Sequence, residues 1–204
     1  IYSDALVGRP RDRSSTVMPV ASAQPLQGAS PPAAASMAAA PNPVPLVRTY
    51  DTARGKAGYI LFNQHTHGAQ DALIAAFQSL RDAGVQELVL DLRYNAGGFI
   101  YVAQAAATMV AGPAVDGQVF ESVRYNGHRS AENDAGSYFF STRVQVAESA
   151  YPKGHALPQL GLSRVYVLSS QLTCSASESI VNGLRGVGVQ VILVGDRTCG
   201  KPYG

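Results

Sequence analysis

A serine and a lysine toward the C-terminal end of the chain have the residue types and spacing for acyl transfer. Ser175 lies in Thr173-Cys174-Ser175-Ala176-Ser177-Glu178, where an apolar strand ends and a helix is expected to open. Lys201 follows the next apolar run, in Thr198-Cys199-Gly200-Lys201. A serine hydroxyl is a weak nucleophile and needs a base to take its proton. Lysine can be that base only as the neutral amine, a form that burial favours. The hydrophobic run before Lys201, with Gly200 and Pro202 beside it, suits partial burial. Each residue also has a plainer reading. Ser175-Ala176-Ser177-Glu178 fits the S-x-x-E capping box, and lysines are usually solvated. A capping position does not exclude catalysis, because a helix N-terminus surrounds its first residues with N–H groups and a favourable dipole.

A third segment, Asn95-Ala96-Gly97-Gly98, supplies what an acyl-transfer site still needs. Paired glycines let the backbone turn sharply and approach a ligand. A backbone N–H from Gly97 or Gly98 and that of Ala176 could bind an oxyanion; a plain strand-to-helix turn is the simpler reading. Asp91 and Arg93 fall on one face of the preceding strand and are expected to stabilise this loop. His65, His67, His128 and His155 lie in no motif that marks a base, and surface loops are expected for them. His65 and His67 lack a further ligand at metal-site spacing. A metal site is therefore not expected, and no cofactor is called for. Cys174 precedes the candidate nucleophile and Cys199 lies two residues before the candidate base. If Ser175 and Lys201 meet, the cysteines are close; a disulfide, implying an oxidising compartment, and two buried thiols both stay open.

The elements that must position these residues alternate along the chain. Strands are expected at 58–62, 87–92, 119–125, 164–168 and 189–194, with helices at 70–83, 101–110 and 175–184. Such alternation implies an α/β fold with a largely parallel sheet. The three candidate segments each follow a strand, so they can converge beyond one edge. Residues 126–160 are polar and irregular and could form a substrate-facing excursion. Residues 1–45 read as a separate N-terminal segment with a short strand near 16–20 and an Ala/Pro/Ser-rich linker, and residues 46–204 as the core. Of 204 residues, 46% are hydrophobic and 15% charged, which excludes a disordered chain. The net charge of +2 is dispersed, so nucleic acid is not an expected partner. No apolar run is long enough for a transmembrane helix.

Three ordered blocks resemble the C-terminal processing peptidases, or tail-specific proteases, a family of serine–lysine peptidases. They are Gly55-Lys56-Ala57-Gly58-Tyr59-Ile60, then Leu88 to Gly98, then Cys174 to Glu178 through Gly195 to Lys201. The resemblance implies a crotonase-like (Clp protease-like) ββα spiral core, with Ser175 as nucleophile and Lys201 as general base. The oxyanion hole would come from Gly97 or Gly98 with Ala176. The implied activity is endopeptidase cleavage of protein or peptide substrates near their C-termini, without a metal. Details such as Thr198 to Gly204 look most like a bacterial, exported branch, which implies a periplasmic or secreted location. Family members often carry a PDZ domain, of which residues 1–30 would at most be a trailing edge. The strands that normally follow the lysine are not in the sequence, so the core is expected to be incomplete at its C-terminus and truncated after the catalytic lysine. A homo-oligomer stays open. Two rival readings share the fold: a non-catalytic module binding a peptide or apolar ligand, and a crotonase-type acyl-CoA enzyme.

Overall fold

The computed structural model describes residues 41–133 and 135–201. The expected strand near 16–20, the linker up to residue 40 and the last three residues lie outside them.

Strand β1 (Leu46–Thr52) turns through a short hairpin into β2 (Gly55–Leu61). The Thr52 hydroxyl closes the turn, donating to the Gly55 carbonyl at 2.7 Å and accepting from the Arg54 N–H at 3.1 Å. Helix α1 (Ala69–Asp82) then leads to β3 (Val85–Asp91), and α2 (Ile100–Ala111) follows. Two short strands, β4 (Val119–Glu121) and β5 (Tyr138–Phe139), pair antiparallel in a small sheet of their own. Strand β6 (Arg164–Ser169), helix α3 (Ala176–Gly186) and strand β7 (Gln190–Gly195) complete the described fold.

The main sheet has the order β1-β2-β3-β6-β7. β1 is antiparallel to β2, and the other three pairings are parallel. Each parallel step needs a crossover, which α1, α2 with the 112–163 excursion, and α3 provide. The mixed α/β architecture is thus as expected from the sequence. Apolar residues of β2, β3 and β6 alternate into the core, among them Ile60, Leu88, Leu90, Val165 and Val167. Helix α1 buries one stripe, Leu73, Ile74, Phe77 and Leu80. By contrast α2 is buried at every position from Val102 to Val110. Its alanines let neighbouring elements approach closely.

Two expectations need correction. β1 was not anticipated: five of its seven residues are exposed, so it shows no apolar alternation. The strand expected over 119–125 stops at Glu121. The excursion is not free-standing. Gln70 and Gln104 donate side-chain hydrogen bonds to the Val146 and Phe139 carbonyls, and Glu148 accepts from the Tyr101 hydroxyl and the Asp71 N–H.

Candidate active site

The chain leaves β3, β6 and β7 at the same end of the sheet, and the three following loops touch one another. The loop after β3 is tied to the loop after β6 by a cluster of short-range bonds. The Thr173 hydroxyl donates to the Leu92 carbonyl at 2.8 Å, while Cys174 N–H and the Ser177 hydroxyl both donate to the Asn95 carbonyl, at 3.1 and 2.9 Å. Serines and threonines flanking Ser175 thus seat the start of α3 on the Asn95 loop.

Ser175 has φ 55° and ψ −120°, the one positive φ outside glycine among the described residues. A side-chain-bearing residue in such a conformation costs about 1–3 kcal/mol and persists only where its surroundings impose it. The turn lifts Ser175 between the Cys174 that precedes it and the buried Ala176 that opens α3. Gly97 packs directly against this turn. A Cβ there would lie 2.7 Å from the Cys174 carbonyl oxygen, 2.8 Å from Ser175 Cβ and 2.9 Å from the Ala176 nitrogen. The neighbouring Gly98 is equally constrained: a Cβ would collide with the His65 carbonyl oxygen. Both glycines have positive φ.

The amides of this pair differ. Gly97 N–H donates to Asn95 Oδ1 at 3.0 Å. Gly98 N–H and Ala176 N–H make no hydrogen bond within the described residues. Asn95 is the hub that sets this arrangement. It is buried; its Nδ2 donates to the Phe62 carbonyl at 3.0 Å and its Oδ1 also lies 2.9 Å from His65 Nδ1. Because that oxygen can only accept, His65 carries its proton on Nδ1.

His65 is a correction to the sequence reading, which put it on the surface. It is 1% exposed and its ring packs tilted against Phe62, centroids 4.4 Å apart, because the segment after β2 passes beneath the Gly97–Gly98 turn. Burial pushes its pKa down to about 4, against a smaller opposing effect of Asn95, so the ring is neutral. Its Nε2 is buried without a hydrogen-bond partner. His67, His128 and His155 are exposed.

Glu178 joins the nucleophile turn to the segment after β7. Its Oε2 accepts from the N–H of Ser175 at 2.9 Å and from that of Lys201 at 3.1 Å. Its Oε1 accepts from the Gly200 N–H at 2.8 Å and the Thr198 hydroxyl at 2.7 Å. Burial raises the Glu178 pKa, but these donors outweigh it and hold the carboxyl below the ordinary glutamate range. The capping-box pattern foretold one of the four partners. The others come from a loop remote in sequence.

Cys174 and Cys199 form a disulfide, with Cα atoms 5.2 Å apart. It fastens the residue before Ser175 to the Lys201 segment. Cys174, Glu178 and Cys199 present their side-chain atoms within 4.8 Å of one another, but both sulfurs are bonded to each other and offer no thiolate to a metal. Lys201 differs from expectation: it is exposed, as are Asp196, Arg197, Cys199 and Gly200. β7 is an edge strand of the sheet that the described residues form, and the segment that leaves it runs along the surface.

Asp91 and Arg93 brace the loop from below. Asp91 is buried and accepts from Arg93 Nη2 and from the Tyr59 hydroxyl, both at 2.7 Å. Burial opposes ionisation of Asp91, yet Arg93 and Tyr59 hold its pKa below the ordinary range. Burial and the Asp91 carboxylate push Tyr59 up to about 12.

The sequence of residues 56–203 matches the model of peptidase family S41. The chain belongs to this family. It is 31% identical over 146 residues to a carboxyl-terminal-processing protease of a Picosynechococcus species, an alignment covering 72% of this chain and 29% of that protein. A solved S41 protease from Bacteroides fragilis superposes with a TM-score of 0.66 at 32% identity, over 78% of this chain and 40% of the other. The photosystem II D1 C-terminal processing protease shares the fold, with a TM-score of 0.53 at 23% identity, over 78% of this chain and 38% of the other. The chain therefore spans less than half the length of each of these proteins.

Proposed function

We propose that this S41 chain carries the catalytic core of an exported serine endopeptidase that cleaves protein substrates near their C-termini through an acyl-enzyme. Ser175 is the nucleophile and Lys201 the general base in this reading. The amine of Lys201 takes the hydroxyl proton as Ser175 Oγ attacks the peptide carbonyl. The tetrahedral oxyanion accepts hydrogen bonds from Gly98 N–H and Ala176 N–H. Collapse expels the amine, which takes the proton from Lys201, and water then hydrolyses the ester. Gly98 rather than Gly97 is chosen because the Gly97 amide already serves Asn95.

One observation carries the proposal: Ser175 sits in a strained turn beside two amides that have no acceptor among the described residues. A helix cap would not require that conformation. The shared Glu178 oxygen supports Lys201 as the partner, since it holds the backbone of both residues. The processing-protease relatives supply the substrate class. The disulfide supports an oxidising, exported setting, and no helix among the described residues is long and apolar enough to cross a membrane.

Ser175→Ala in the full chain should abolish hydrolysis of an unfolded protein substrate while leaving the circular dichroism unchanged. Retained hydrolysis would reject the assignment. The exposure of Lys201 favours a second reading, a peptide-binding module without turnover. A fluorophosphonate that labels Ser175 in the folded chain rules for the peptidase; peptide binding without labelling rules for the module.

A further inference from the structure

We infer that Cys174 and Cys199 are positioning residues whose disulfide is a redox-sensitive clasp, so that a dithiol reductant switches the site off and an oxidant restores it. This rests on the peptidase reading above. The observation behind it is where the bond lies. It spans 25 positions of sequence, closing α3 and β7 into one loop, and its two ends are the neighbour of Ser175 and the segment of Lys201.

Beside the bond, hydrogen bonds tie the Lys201 segment to the loop after β6 and to Glu178. Cys199 N–H donates to the Thr173 carbonyl at 3.0 Å, Asp196 N–H to the Ser169 carbonyl at 3.1 Å, and the Glu178 carboxylate accepts from Thr198, Gly200 and Lys201. Such bonds stabilise little where water can replace them, and residues 199–201 are exposed. A base that must reach a hydroxyl within hydrogen-bond range tolerates little wandering of its segment.

The bond is also placed to be reduced. Cys199 is exposed while Cys174 is half-buried, so an incoming thiolate meets the Cys199 sulfur first. Attack there breaks the S–S bond and expels Cys174 as a thiolate. That leaving group lies at the start of α3, where thiolates are favoured. Both sulfurs lie within 4.8 Å of the Glu178 carboxylate, so access to Cys199 and the helix start at Cys174 decide the direction of attack. The second thiol of the reductant then displaces Cys199, giving two protein thiols and one oxidised reductant, with two electrons and two protons transferred.

The test uses the full chain, with dithiothreitol as the dithiol and oxidised glutathione as the oxidant. Reduction should lower kcat by about tenfold or more at unchanged KM, and reoxidation should restore it. A merely structural staple would instead lower the thermal midpoint with no split between kcat and KM. The Cys174→Ser/Cys199→Ser variant should show the reduced-state kcat and ignore the dithiol; if it fails to fold, the reversible reduction of the native chain decides alone. A second readout does not depend on turnover: the Gly200 and Lys201 amides should exchange with deuterium about tenfold faster after reduction. Unchanged kcat with unchanged exchange overturns the inference. Absence of hydrolysis in the oxidised chain rejects the peptidase reading instead, and exchange then judges the clasp.

Discussion

Ser175 and His65 each occupy a state that the isolated residue avoids, and both states belong to the loops around the site. The φ of 55° at Ser175 would be relieved by glycine, but glycine has no hydroxyl. A side chain at that position makes sense where the hydroxyl is used. His65 is held neutral: an ordinary histidine protonates near 6.5, and this one only near about 4. Between those values the unfolded chain binds the proton and the folded chain does not, so stability falls as pH drops through that window and the loss levels off below it. The span corresponds to roughly 3 kcal/mol. Thermal midpoints measured from about pH 6.5 down to 4 should therefore fall more steeply for the native chain than for His65→Gln. Parallel profiles would show that His65 titrates normally.

Among the elements, the loop after β3 has little tolerance. At Gly97 a methyl group meets the Cys174 carbonyl and the Ala176 nitrogen, both main-chain atoms that cannot swing away. The φ of 93° adds strain. Gly97→Ala is expected to cost about 2–3 kcal/mol by urea denaturation. It should also lower kcat about a hundredfold by shifting the proposed oxyanion donor Ala176 N–H. Gly127→Ala, at a position with open space around it and ordinary φ, should do neither. An equal loss in both variants would mean that the loop has room. The elements were readable where the pattern was strong. α1, α3, β3, β6 and β7 lie within about two residues of their expected limits, because apolar periodicity reports burial directly. β1 was not readable, since an exposed edge strand owes its existence to the hairpin and to pairing with β2. At the site, the nearness of Gly97 to Ser175 followed from both loops leaving parallel strands. The roles of Asn95, His65 and Glu178 did not, because each depends on which distant backbone group arrives beside it.

At the scale of the molecule, β3 is the middle strand of the described sheet with β2 and β6 on either side, while β1 and β7 are its edges. Amide exchange should be slowest in β3 and β6 and faster in β1 and β7. Residue-resolved exchange that finds β7 as slow as β3 would show that its outer edge is covered in solution. The proposed hydroxyl, the amide of Gly98 and the lysine segment follow β6, β3 and β7 in turn. Parallel neighbours in such a sheet come together only through long crossovers, which form slowly. A chain emerging during synthesis or export has no complete site while β7 is still undocked. Topology alone thus postpones the proposed chemistry until β7 has docked, and a chain short of that stage has nothing with which to cut its neighbours.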